Sequence, residues 1–211
     1  AEESEPLPLI DTLLQREKPS VLIENFDSTD ASALRELYRK IITKQTIRVA
    51  FMGDSFVEGD ILTADLREVL QSEFGGKGAG FAPMSSPLTG FRRTIKTQSK
   101  GWSSHNIMQS QKCSEAVKSS FMVTGWVCEA TNGAYTRWEM TDARENLSKV
   151  DVAKVWFKSP SNSKVEVKVN DTLTKSYDIE GDGSLRQIEV HHPDITSLTF
   201  KVVEGGSGFI G

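Results

Sequence analysis

Cysteine is scarce in this chain of 211 residues, with only Cys113 and Cys128 present. Two thiols are too few for a metal cluster or a disulfide scaffold. They leave open either a single bridge in an exported protein or two separate buried thiols. No apolar run approaches the roughly 18 residues that a membrane span requires. Basic charge is not in excess either, since 25 Lys and Arg stand against 29 Asp and Glu for a net charge of −4. Without a positive field to engage phosphates, nucleic acid is an unsuitable partner. There is no repeat of fixed period and no low-complexity tract. What remains, 37% hydrophobic and 26% charged residues, is the composition of a globular protein.

The first residues, AEESEPLPLID, are acidic and proline-bearing. They read as the start of a mature chain or a linker, compatible with an export signal already removed. Residues 1–26 lack a long period and read as an extended arm. Ser28-Thr29-Asp30 is a helix-start signal, and Leu34, Leu37, Tyr38 and Ile41 then form one apolar face of a helix over 31–44. After Gln45-Thr46, the residues Ile47, Val49 and Phe51 alternate as a strand would. A second helix is predicted over 63–74, with Asp65 in its first turn and Gly75-Gly76 ending it. Helix, strand, serine-bearing loop, helix and glycine-rich loop together make half of an α/β unit.

Residues 83–118 are rich in Ser, Thr, Gly and Gln and show little period. From 119 onward only β-structure is expected. Short strands over 152–157, 164–169, 173–179, 185–190 and 198–203 are separated by turn signals, among them Asn170-Asp171 and Gly181-Asp182-Gly183. Such spacing predicts an antiparallel sandwich.

The strand over 47–51 ends abruptly in Gly53-Asp54-Ser55. A serine at the carboxyl end of a sheet strand, followed by a helix, is how α/β hydrolytic enzymes expose a nucleophile. The alternative is a strand-to-helix turn in which Asp54 or Ser55 satisfies nearby backbone N–H groups, and on spacing alone that alternative is the stronger.

Residues 47–83 carry Gly53-Asp54-Ser55, Asp60, Thr63, Leu66-Arg67, Gln71, Phe74-Gly75 and Gly78-Ala79-Gly80-Phe81. This block resembles the first block of the SGNH (GDSL) hydrolases. It resembles in particular their cell-surface branch of O-acetylpeptidoglycan esterases, in which a β-sandwich like a carbohydrate-binding module is inserted after that block. The resemblance covers about thirty-five residues, is only architectural over 119–211, and reverses the preference at Ser55. It implies that Ser55 is the nucleophile and one oxyanion N–H donor, with Asp54 supporting the turn. The family's second oxyanion glycine, its Gly-x-Asn and its Asp-x-x-His have no counterpart here. They are expected beyond residue 211, so that residues 1–211 alone are expected to be inactive.

His191-His192 is not taken as the missing base, because it follows Glu189-Val190 at the expected end of a sandwich strand. Asn170-Asp171 reads as a hairpin turn. Gly75–Gly80 lacks the G-x-x-x-x-G-K-[ST] order of a phosphate loop and follows a helix. Asp178, Glu180 and Asp182 lack the spacing of a calcium loop. His105 and Trp102 are candidates for lining a cleft. Of Trp126, Trp138, Trp156 and Tyr135, core packing is the default for Trp156, and Trp138 is the better candidate for a glycan contact.

The expected fold is α+β. A partial α/β part of SGNH type (arm 1–26, hydrolase-like 27–100, linker 101–118) precedes an antiparallel, jelly-roll-like sandwich over 119–211. The expected function is ester hydrolysis on acyl groups of a glycan or cell wall by an exported protein, with no metal or organic cofactor implied. The alternative is a non-catalytic carbohydrate- or protein-binding module.

Overall fold

The computed structural model describes residues 32–47, 49–87, 89–121 and 124–211. The expected arm and the Ser28-Thr29-Asp30 helix start lie outside the described residues. The chain forms two compact units, residues 1–48 and 49–211. In the first, helix α1 (Ser32–Ile42) carries Arg39 and Lys40 in its last turn, where cations suit the helix dipole. Within α1, Arg39 bonds Glu36 one turn earlier at 2.6 Å. The helix stops two residues before the expected end, at a turn in which Lys44 has φ 53.

The second unit opens with a departure from expectation. Residues 49–53 form no strand, and Val49, Phe51 and Met52 are exposed. Alternation alone does not make a strand; neighbouring strands must supply the hydrogen bonds, and no described segment pairs here. A single turn, α2 (Ser55–Glu58), follows, then α3 (Thr63–Phe74) with the bounds expected. Gly75 ends α3 at φ 83, and its N–H bonds Gln71 O.

Among the described residues, seven antiparallel strands come next: β1 (Ile95–Asn106), β2 (Trp126–Met140), β3 (Val150–Lys158), β4 (Ser163–Val169), β5 (Leu173–Ile179), β6 (Leu185–Ile195) and β7 (Ser197–Glu204). They form one sheet in the order β1-β2-β7-β4-β5 and a second of β3 and β6. Residues 101–106, read from sequence as linker, are the second half of β1 and pair with β2. The sandwich thus begins at Ile95. His191 and His192 likewise sit inside β6, which continues to Ile195. At Asn170 and Asp171 (φ 48 and 56) the hairpin between β4 and β5 turns as expected.

The two sheets meet through aromatic rings. Phe157 of β3 lies 5.9 Å from Phe200 of β7, and Phe209 stacks on Phe157 at 5.1 Å. Val165, Val202, Phe200 and Phe209 have no solvent exposure. Residues 209–211 bridge the seam. Ile210 exchanges backbone bonds with Lys158 of β3, and Gly211 does the same with Cys128 of β2.

Two tryptophans exchange the roles expected of them. Trp138 is 8% exposed and donates Nε1–H to Pro83 O at 3.0 Å. It sits on β2 between β1 and β7 and so packs in the core, unavailable to a glycan. Trp156, the expected core residue, is 52% exposed. Its neighbours Val155 and Phe157 take the inward positions of β3, and strict alternation then puts Trp156 outside.

Candidate functional site

The Gly53-Asp54-Ser55 turn is built locally. A side chain at position 53 would meet Val57 Cγ2 at 2.4 Å and force Val57 to shift, so glycine suits the close approach to α2. Asp54 caps that turn: its Oδ1 accepts from Phe56 N at 3.0 Å and its backbone O from Val57 N. Ser55 is the first residue of α2 and is exposed. Its Oγ makes no hydrogen bond among the described residues, and its N–H falls among the first-turn donors that a helix leaves without an internal acceptor. The hydroxyl and the adjacent N–H thus keep their hydrogen-bonding capacity among the described residues.

Behind this turn lies a buried polar clamp. Asp60 is 6% exposed and adopts φ 59, a left-handed conformation that Asp tolerates better than most residues. Its Oδ1 accepts from Thr63 Oγ1 at 2.5 Å and from Arg67 at 3.0 Å. Its Oδ2 accepts from Thr94 Oγ1 at 2.8 Å and from Arg92 at 3.2 Å. Burial would raise the Asp60 pKa, but the hydroxyls of Thr63 and Thr94, the charge of Arg92 and the hydrogen bond from Arg67 outweigh it. They hold the carboxyl below its ordinary value. Arg92 in turn donates to Ala79 O and Phe81 O in the glycine loop, and Gln71 donates to Gly78 O. Gly80, at φ 76, leaves room for the Arg67 guanidinium, which a Cβ there would meet at 3.2 Å. The block Asp60, Thr63, Arg67, Gln71, Gly78 and Gly80 is thus one bonded unit that ties α3 and the glycine loop to the start of β1. Helix α3 also reaches the turn at Glu145–Leu147, through Asp65 to Arg144 and Glu68 to Asn146.

His105, on β1, takes no part in this arrangement. Its Nε2 lies 2.7 Å from Glu129 Oε2 on β2, and its Nδ1 lies 3.7 Å from Cys113 Sγ. Both ring nitrogens are therefore directed at partners other than Ser55. Glu129 and Cys113 were not visible as its partners in sequence, where they stand 24 and 8 residues away. Cross-strand pairing of β1 with β2 is the missing signal. His191 Nε2 lies 3.0 Å from Glu189 on its own strand. No histidine bonds Ser55 among the described residues. Trp102 is half-buried and donates to Tyr135 O at 3.0 Å, which turns its polar edge inward.

Both thiols are free. Cys128 is buried and donates to Ser85 O at 3.2 Å, and burial pushes its thiol above the ordinary value. Cys113 is partly exposed at an open pocket of about 450 Å³, which His105, Ser104, Asn106, Gln109, Lys112 and Trp126 also line.

These features define a class of architecture: a helical lead that presents a serine turn, clamped onto an antiparallel β-sandwich. No family model matches the chain, and no curated protein matches it. Among solved structures, one described as a peptidoglycan O-acetylesterase in action is similar over 86% of this chain, with 18% identity and a TM-score of 0.50. The chain spans 48% of the length of that one, and at such identity the likeness concerns the fold. A carbohydrate-binding module of family 29 aligns over 64% of this chain and 78% of its own (10% identity, TM-score 0.34). The module TmCBM61, in complex with β-1,4-galactotriose, aligns over 61% and 92% (12% identity, TM-score 0.33). No described helix is long and apolar enough to cross a membrane.

Proposed function

We propose that this chain carries the nucleophile segment of an exported serine ester hydrolase of SGNH type, acting on acyl groups of a glycan. The observation that carries the reading is the Ser55 turn, with a capped, exposed serine free at Oγ and joined to the Asp60 clamp through Asp60 N–H on Val57 O. In this reading Ser55 Oγ attacks the acyl carbon, and the Ser55 N–H stabilises the oxyanion. Asp54 holds the turn and does not touch the reacting atoms. His105, His191 and His192 are not used. The base and the remaining oxyanion donors come from chain beyond residue 211.

The exposed apolar residues Phe51, Phe56, Val69 and Phe74 support this reading, because they form the surface that further strands and helices of a hydrolase sheet would cover. The test is p-nitrophenyl acetate hydrolysis by the longer protein. Ser55→Ala should lower the rate roughly 10⁴-fold or more, and an unchanged rate would overturn the reading.

A second reading, a glycan-binding module without catalysis, is favoured by one observation: Trp156 is exposed, with its Nε1–H on Gln187 Oε1. It predicts saturable binding heat with cell-wall or plant glycans that Trp156→Ala removes. A flat titration across such a panel would count against it.

A further inference from the structure

We propose that Cys113, His105 and Glu129 form a second nucleophilic centre, in which Cys113 accepts an acyl group from a small ester or thioester. This does not rest on the role of Ser55.

The proton positions follow from the contacts. A carboxylate only accepts hydrogen bonds, so at 2.7 Å from Glu129 the His105 Nε2 is the protonated nitrogen. In the neutral ring Nδ1 then keeps its lone pair, and that lone pair faces Cys113 Sγ at 3.7 Å. The thiol has a second acceptor, Gln109 O, at the same distance, but only transfer to Nδ1 yields a thiolate. Nucleophile, base and orienting carboxylate thus stand in line, the arrangement that activates a weak nucleophile.

The line opens onto the pocket of about 450 Å³, which is large enough for a small acyl compound. Asn106, Gln109 and Lys112, whose side chains carry N–H groups able to donate to an oxyanion, line it, and Trp126 and Pro87 add apolar surface. Asn106 Oδ1 already accepts from Met108 N, which fixes that amide by its oxygen.

Acyl transfer fits this site better than disulfide exchange, because these 211 residues hold no exposed resolving thiol. Cys128 is the only other cysteine, and it is buried against Ser85 O. In the proposed step the Cys113 S–H proton passes to His105 Nδ1 and Sγ bonds the acyl carbon. The bond from that carbon to the alcohol or thiol leaving group breaks, and the leaving group takes the proton from Nδ1. Hydrolysis of the S-acyl group by water returns the thiol and a carboxylic acid.

The experiment uses the chain in a Ser55→Ala background with p-nitrophenyl acetate, following nitrophenol release together with peptide mass spectrometry. The expected result is saturable release and an acetyl adduct on the Cys113 peptide, absent from the Cys128 peptide. Cys113→Ala should remove both. His105→Gln should slow acetylation of Cys113 roughly a hundredfold, the share a positioned base supplies. Equal rates in His105→Gln and its parent, or acetylation confined to lysines, would overturn the proposal. Iodoacetamide labelling of Cys128 reports whether the variant has opened. If it has, Glu129→Gln becomes the deciding variant, with a slower rate expected and an unchanged rate overturning the proposal.

Discussion

Residues 54–94 and the sandwich that follows bury different chemistry. The helical segment hides a carboxylate and a guanidinium, Asp60 and Arg92, while Phe56, Leu62, Val69 and Phe74 stay more than half exposed. The sandwich does the reverse, enclosing Phe200, Phe209, Val165 and Val202 completely and leaving charged residues along its outer faces. A sandwich closes its own core because two facing sheets cover each other. An amphipathic helix followed by a polar clamp covers only its polar side, and its apolar side stays exposed. The comparison teaches that the segment after the serine turn is tied together by charge and hydrogen bonds around Asp60, which joins the turn through its N–H on Val57 O, and not by a hydrophobic core of its own.

Four measurements can break or sharpen this comparison. The largest effect should come from the sandwich. Phe200→Ala leaves a void beside Phe157 and Phe209 and should cost about 4 kcal/mol in urea unfolding. A loss under about 1 kcal/mol would mean that the two sheets do not share a tight core.

Next is the clamp. Asp60→Asn strands Arg92 without its counter-charge and should cost about 3 kcal/mol. Asp60 also predicts a pH dependence. Its carboxyl lies below the ordinary value when folded, so its stabilisation is full above the unfolded value near pH 4. That stabilisation is lost as pH falls through the folded value. Acid unfolding of the parent should therefore steepen below about pH 4, and Asp60→Asn should lack that part. Parallel acid curves for the two proteins would contradict the clamp.

Asn170→Ala should cost about 2 kcal/mol. Asn170 Oδ1 accepts from Thr196 N and Ser197 N, its Nδ2 donates to Asp194 O, and it holds φ 48. Thermal melts would reveal the loss, and an unchanged midpoint would show that the turn is set by Asp171 alone.

The smallest effect should come from the exposed face of α3. Val69→Glu should shift stability by no more than about 0.5 kcal/mol in residues 1–211. In the longer protein the same change should destabilise markedly, if further hydrolase layers cover Val69. Equal small effects in both proteins would remove the argument for a covering layer.

The patterns that sequence revealed were those with a local cause. Helix α3 was legible because its apolar spacing, its first-turn Asp65 and its terminal Gly75 all act within a few residues. Strands β3 to β7 were legible from alternation between turn residues, and the Asn170-Asp171 turn from its need for positive φ. Strand β1 was missed because its Ser, Thr, Gly and Gln carry no clear period, and β2 fell within the stretch expected as β-structure without being given bounds. Long antiparallel pairing sustains them instead. The roles of Trp138 and Trp156 were exchanged because inward or outward parity is set by register, which one strand's sequence does not specify.

By itself, then, the sequence determined an α+β chain that runs from a serine turn into an antiparallel sandwich, and it marked Ser55, Asp54 and Asp60 as special. Only tertiary structure decided what surrounds them. It brought Arg92 and Thr94 from more than thirty residues away to Asp60, and left residues 49–53 without strand partners. It also set His105 between Glu129 and Cys113. The physical reason is range: caps, turns and amphipathic faces are written in neighbouring residues, whereas charge pairing and strand register depend on segments that meet only after folding.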